Sequence, residues 1–232
     1  MPTDDIGFLV AYAIAGGAAT AGLLLPWIRR IPLELHRVWA LDHQNYRPLL
    51  ASPDDLELPR KSRIALIASG ALLCLGLALA RGVSLQTTFL CILLLGWVLL
   101  TAINLRHRVL PDWIVYRLLW IGLLYHAYTG NASAQVIGAA AGYLVPWLAT
   151  LLIRRQTGQD AMGHGDFKAF AVAGAWFGWS ALPTVYGVFL LTTLLLALAV
   201  RLLRRPLAEP SLPTGPGHLL AATVVALGVR FI

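Results

Sequence analysis

Eight apolar stretches, each about as long as a lipid bilayer is thick, run through this chain at 6–28, 63–81, 87–105, 113–130, 133–153, 167–181, 183–203 and 216–232. A hydrocarbon layer of roughly 30 Å takes about 20 residues of helix to cross. The stretches are rich in Leu, Ala and Gly and do not alternate polar with apolar. Within lipid each backbone amide must bond inside its own helix or inside a closed barrel, so runs of this pattern mean helices. Only 12% of the residues are charged against 58% hydrophobic, too little charge to wet the surface of a water-soluble domain. The sequence therefore predicts an all-α fold, a polytopic membrane helical bundle of about eight transmembrane helices.

Charge orients the bundle. Of the 18 Lys and Arg residues, 16 fall in the first, third, fifth and seventh connections or at the helix ends beside them, and only Arg81 and Arg230 lie on the other side. Positively charged loops stay in the cytoplasm, which puts both termini outside. Residues 1–5 carry two acids and no base, unlike the start of a cleaved signal peptide, so the first helix is expected to be retained. The net charge of +7 is explained by these helix-end positions, and no nucleic-acid partner is expected; membrane lipid is. Cys74 and Cys91 sit inside apolar runs with no CxxC and no Cys/His cluster, so neither a metal site nor a disulfide framework is predicted.

The longest connection, 29–62, divides the chain. Residues 1–62 read as one helix plus a cytoplasmic lobe, and 63–232 as the main transmembrane domain. The lobe holds five of the chain's 11 acids, Glu34, Asp42, Asp54, Asp55 and Glu57, with four prolines and one short amphipathic stretch at 33–41. Its acidity suits attraction of a basic peptide to an otherwise basic rim, and equally suits a solvated loop of mixed charge.

Two loops, both cytoplasmic by the charge pattern, combine residues with chemical use. One is Asn104-Leu-Arg106-His107-Arg108-Val-Leu110-Pro111-Asp112, between the third and fourth stretches. The other is Gly163-His164-Gly165-Asp166-Phe167-Lys168, entering the sixth. Two glycines around one residue permit positive φ and close approach of another segment. Asp166 then stands at a helix start, where the free N–H groups favour an anion. An ordinary helix cap, with Lys168 as a surface charge, accounts for the tetrapeptide as well.

The longer pattern is more specific. Residues 163–178, GHGDFKAFAVAGAWFG, followed by Trp179, closely resemble the GxGDxK…A…G.W.G signature of prepilin (type IV leader) peptidases, the GxGD class of membrane aspartic proteases. INLRHRVLPDW at 103–113 resembles that family's D-x-R-x-R-x-(I/L)-P-(D/N) segment. LPTGPG at 212–217 resembles its late Pro-Phe-Gly-Pro element, and LELPRKSR at 56–63 its Leu-x-x-Pro-Arg-Ser-Arg stretch. The resemblance spans about 20 to 220 in matching order. It implies an endopeptidase of the bacterial inner membrane that removes the basic leader from type IV prepilins or type II secretion pseudopilins at the cytoplasmic face. It makes positions 104 and 166 the catalytic pair, with Gly163, Gly165, Lys168, Arg106, Arg108, Pro111 and Asp112 in binding or supporting roles. Two neighbouring carboxylates share one proton, one activating water while the other polarises the scissile carbonyl, with no cofactor.

The chain departs from the family at two places. Asn104 stands where the first catalytic aspartate belongs; it has the same shape but cannot carry the proton. An isosteric inactivating replacement, a natural pseudoenzyme, and substitution by Asp112 all remain open, in that order. A non-catalytic, prepilin-binding assembly factor is the alternative function. The cysteine-rich zinc loop of longer members is also missing, so N-methyl transfer from S-adenosylmethionine is a possible second activity only. Arg106, Arg108 and Lys168 serve either to position substrate and tune Asp166 or to anchor helix ends at the interface. His107 and His164 fall on variable motif positions. His36, His43, His126 and His218 show no partner in the sequence and are expected to do no chemistry. Trp113 and Trp176 flank the motif loops as candidates to line a groove, and Gly138 and Gly142 suggest close helix packing.

Overall fold

The computed structural model describes residues 3–28, 30, 58–130, 132–159, 161–203 and 212–228. They form eight α-helices: α1 Thr3–Ala19, α2 Arg60–Arg81, α3 Leu85–His107, α4 Asp112–Tyr128, α5 Ser133–Thr157, α6 His164–Phe177, α7 Leu182–Leu202 and α8 Gly215–Ala226. The chain is an all-α, multi-pass membrane protein. Five of the described helical stretches are long and apolar enough to cross a bilayer: Ile6–Ile28, Arg60–Arg81, Leu85–His107, Ser133–Thr157 and Trp179–Leu202. The acidic lobe, including Glu34, Asp42, Asp54, Asp55, Glu57 and the amphipathic stretch at 33–41, lies outside the described residues.

The helices group into two compact units, 1–107 and 108–232. In the first, α1 packs along α2 and α2 along α3. The α1–α2 crossing is a backbone contact. A Cβ on Gly16 would come within 2.6 Å of the Gly70 carbonyl oxygen, so only glycine lets the two helices approach this closely. Just beyond the crossing, α1 continues through a π turn at Thr20–Leu24. There the buried Thr20 hydroxyl donates to the Gly16 carbonyl at 2.8 Å, satisfying a polar group inside an apolar contact.

In the second unit α6 is the central element, contacted by α4, α5, α7 and α8. Every residue from Asp166 to Trp176 except Lys168 is buried. At 14 residues and about 1.5 Å per residue, α6 is roughly 21 Å long, about the span of its apolar stretch at 167–181 and short of a hydrocarbon layer of roughly 30 Å. A helix walled by four others has no lipid-exposed backbone to protect, so it need not reach both interfaces. Its tightest neighbour is α5. A Cβ on Gly174 would collide with the Gly138 carbonyl, and one on Gly142 with the Phe170 carbonyl. On α4, the Trp176 indole N–H donates to the Leu118 carbonyl at 2.8 Å, and its ring fills the space beside Gly122. Trp176 is thus a core residue and lines no groove. The outward face of α7 is apolar: Leu190, Leu191, Leu194, Leu195 and Leu198 are all exposed. Such a face belongs against lipid chains rather than water.

Candidate functional site around Asp166

The GxGD loop is built differently from its simplest expectation. Gly163 has φ −77° and ψ 151° and is the N-cap of α6, and Gly165 already lies within the helix. Neither uses positive φ. Their smallness serves space instead: a Cβ on Gly165 would touch the Leu110 side chain at 3.4 Å, and one on Gly163 would lie 3.7 Å from Asp166 Oδ2. The loop before α4 is thereby brought against the head of α6.

Asp166 does not act as a helix cap. No side-chain cap bond closes this terminus, and the carboxylate turns instead to α8. There Thr214 precedes the helix and the backbone N–H groups of Gly217 and His218 close on its carbonyl at 3.0 and 3.2 Å. Gly217 lies flush against Phe189, where a Cβ would approach the ring to 2.9 Å. This turn aims His218 inward, and its Nε2 lies 3.1 Å from Asp166 Oδ1. The imidazole packs against the Phe170 and Phe189 rings, at centroid distances of 4.7 and 4.5 Å. Asp166 is 6% exposed and His218 2%.

His218 is the residue the sequence left without a role. Its signal was modest: one titratable side chain in the first turn of an otherwise apolar helix, directly after the late Gly-Pro-Gly element. His126 also has a partner, its Nε2 lying 2.9 Å from the Trp176 carbonyl, a contact between α4 and the core helix.

The remaining candidates divide. Lys168 Nζ meets Asp112 Oδ2 at 2.7 Å and lies 5.5 Å over the Tyr116 ring, so it serves Asp112 rather than Asp166. Burial works against its ammonium, but the contacts with Asp112 and Tyr116 outweigh that and hold it above the ordinary lysine range. Asp112 opens α4 behind Pro111, which is its N-cap. Arg108 adopts φ 55° just past the end of α3. Arg106, in the last turn of α3, is exposed. Asn104, also near the end of α3, is 3% exposed, and His107 is buried one turn on. Arg117 stacks over Trp113 at 4.3 Å.

A buried carboxylate and a buried imidazole in contact can hold and exchange a proton where bulk water does not reach. Comparison with known proteins agrees with the motifs. Residues 89–202 match the type IV leader peptidase family. A protein of Aeromonas hydrophila named prepilin leader peptidase/N-methyltransferase is 42% identical over 142 residues, 60% of this chain and 49% of that protein. Proteins of the same name from Klebsiella pneumoniae and Pseudomonas aeruginosa are 42% and 37% identical over 121 and 139 residues. They cover 50% and 58% of this chain and 52% and 48% of their own lengths. The chain thus spans about half the length of the curated relatives it matches. No solved structure matches it. Over residues 89–202 the chain belongs to the type IV leader peptidase family.

Proposed function

We propose that this chain is a membrane aspartic endopeptidase of the bacterial inner membrane, built to remove the basic leader from prepilins or pseudopilins at the cytoplasmic face. The observation that supports this best is the buried Asp166 carboxylate at the head of the central helix, inside the segment that matches the family. Amide hydrolysis needs one group to take a proton from water and another to hydrogen-bond the scissile carbonyl and protonate the leaving nitrogen. Asp166 supplies one of these groups, and position 104 is assigned the other by the family pattern. Asn104 can hydrogen-bond a water or a carbonyl but cannot give or take the proton, so the chain as it stands is held inactive in proteolysis. Arg106, Arg108, Gly163, Gly165 and the Lys168–Asp112 pair are proposed to shape and support the substrate-binding surface.

The N-methyltransferase half of the relatives' name implies S-adenosylmethionine. No described residue is assigned to hold that donor, and no methyl-transfer step is derived.

Purified chain and its Asn104→Asp variant should be compared on a prepilin in detergent. Asn104→Asp is expected to gain cleavage by several powers of ten, and Asp166→Ala in that background to lose it. The presence of asparagine at 104 favours a second reading, a prepilin-binding assembly factor. Binding with no cleavage even after Asn104→Asp would establish that reading and end the peptidase one.

A further inference from the structure

The two oxygens of Asp166 face different surroundings. Oδ1 meets His218 Nε2 at 3.1 Å, inside a cluster closed by Phe170 and Phe189. Oδ2 is turned toward Gly163, whose missing side chain would sit 3.7 Å away and which is itself exposed. One oxygen is therefore enclosed and the other lies beside the open end of the loop. An ionised carboxylate can only accept, so the imidazole must be the donor in this contact. The two residues come from separate helices, and the α8 turn that delivers His218 is shaped by Gly217 fitting against Phe189.

We propose that His218 is the positioning residue of Asp166: its Nε2–H holds Oδ1 and fixes the carboxylate rotamer, leaving Oδ2 beside Gly163 as the reacting oxygen. This rests on the peptidase reading above and assigns the reacting atom within it. With Oδ1 already bonded to His218, Oδ2 is the oxygen left to take the proton from water. The ring is too enclosed, at 2% exposure, to touch a substrate itself. The other rings packed on it, Phe170 and Phe189, carry no charge. Glutamine at 218 would keep a donor near the position of Nε2, whereas phenylalanine would keep a ring and remove the donor.

Two measurements test the assignment. In the Asn104→Asp chain, kcat and KM are compared for the parent, His218→Gln and His218→Phe. His218→Phe is expected to lower kcat about tenfold or more with KM little changed, as loss of a positioned reacting oxygen should. His218→Gln is expected to restore most of that loss. An equal loss of kcat in both variants would make His218 merely structural and overturn the proposal. In the chain with Asn104 intact, nitrogen-15 NMR of labelled histidines follows His218, identified by its loss in His218→Gln. Asp166→Asn is expected to move the ring-nitrogen resonances of His218, and no change would overturn the pairing. This second readout needs no cleavage. If Asn104→Asp proves inactive, the peptidase reading falls on its own while the pairing is still decided.

Discussion

Arg108 holds φ 55°, a left-handed backbone that costs a residue with a Cβ roughly 1–2 kcal/mol. It stands immediately after His107, the last residue of α3, where glycine usually ends a helix. Replacing it separates backbone from side chain. Arg108→Gly and Arg108→Val lose the same guanidinium, but valine is a poor occupant of positive φ. Thermal unfolding in detergent should place Arg108→Val below Arg108→Gly by about 1 kcal/mol or more; equal stabilities would mean the turn relaxes. At this scale the sequence spoke unevenly. It marked Asp166, Lys168 and Asp112, but not the contact between the last two, because a pair 56 positions apart has no local pattern. It missed His218 for the same reason, and because its motif match ended one residue earlier, at Gly217.

Among elements, α6 shows how far periodicity can be trusted. Its apolar stretch was legible, and so was the close packing at Gly138 and Gly142. Burial on all sides erases the polar face that would distinguish a central helix from a lipid-exposed one, so its central place was not. The two-glycine loop was read correctly as a place of close approach and incorrectly as a place of positive φ, since a sequence names small residues without saying which use is made of them. Gly174→Ala tests the α5–α6 crossing. The new methyl would meet the Gly138 carbonyl, and relief requires the backbones to separate. Overpacking of this kind costs about 1–3 kcal/mol or more, to be read from unfolding in mixed detergent. By contrast, Gly187→Ala meets open space and should leave stability nearly unchanged.

For the molecule as a whole, charge carries the prediction. The basic residues concentrate in alternate connections, which sets Val83 outside and Gln156 inside by the positive-inside rule. Both positions are exposed, while the native Cys74 and Cys91 are buried. A membrane-impermeant maleimide should therefore label Val83→Cys in intact cells and Gln156→Cys only after permeabilisation; the reverse would invert the topology and take the proposed cytoplasmic site with it. Bilayer residence and an all-helical fold were plain from the sequence because lipid leaves so few alternatives.

The glycine contact between α5 and α6 also governs depth. Gly174 lies eight residues beyond Asp166, about 12 Å along the axis. Main chain resting on main chain there leaves no compliant side chain to absorb sliding. That crossing therefore works as an axial stop, fixing the height of the Asp166 carboxylate on α5, and a substitution two turns away could retune the carboxylate's hydration without touching the acid itself.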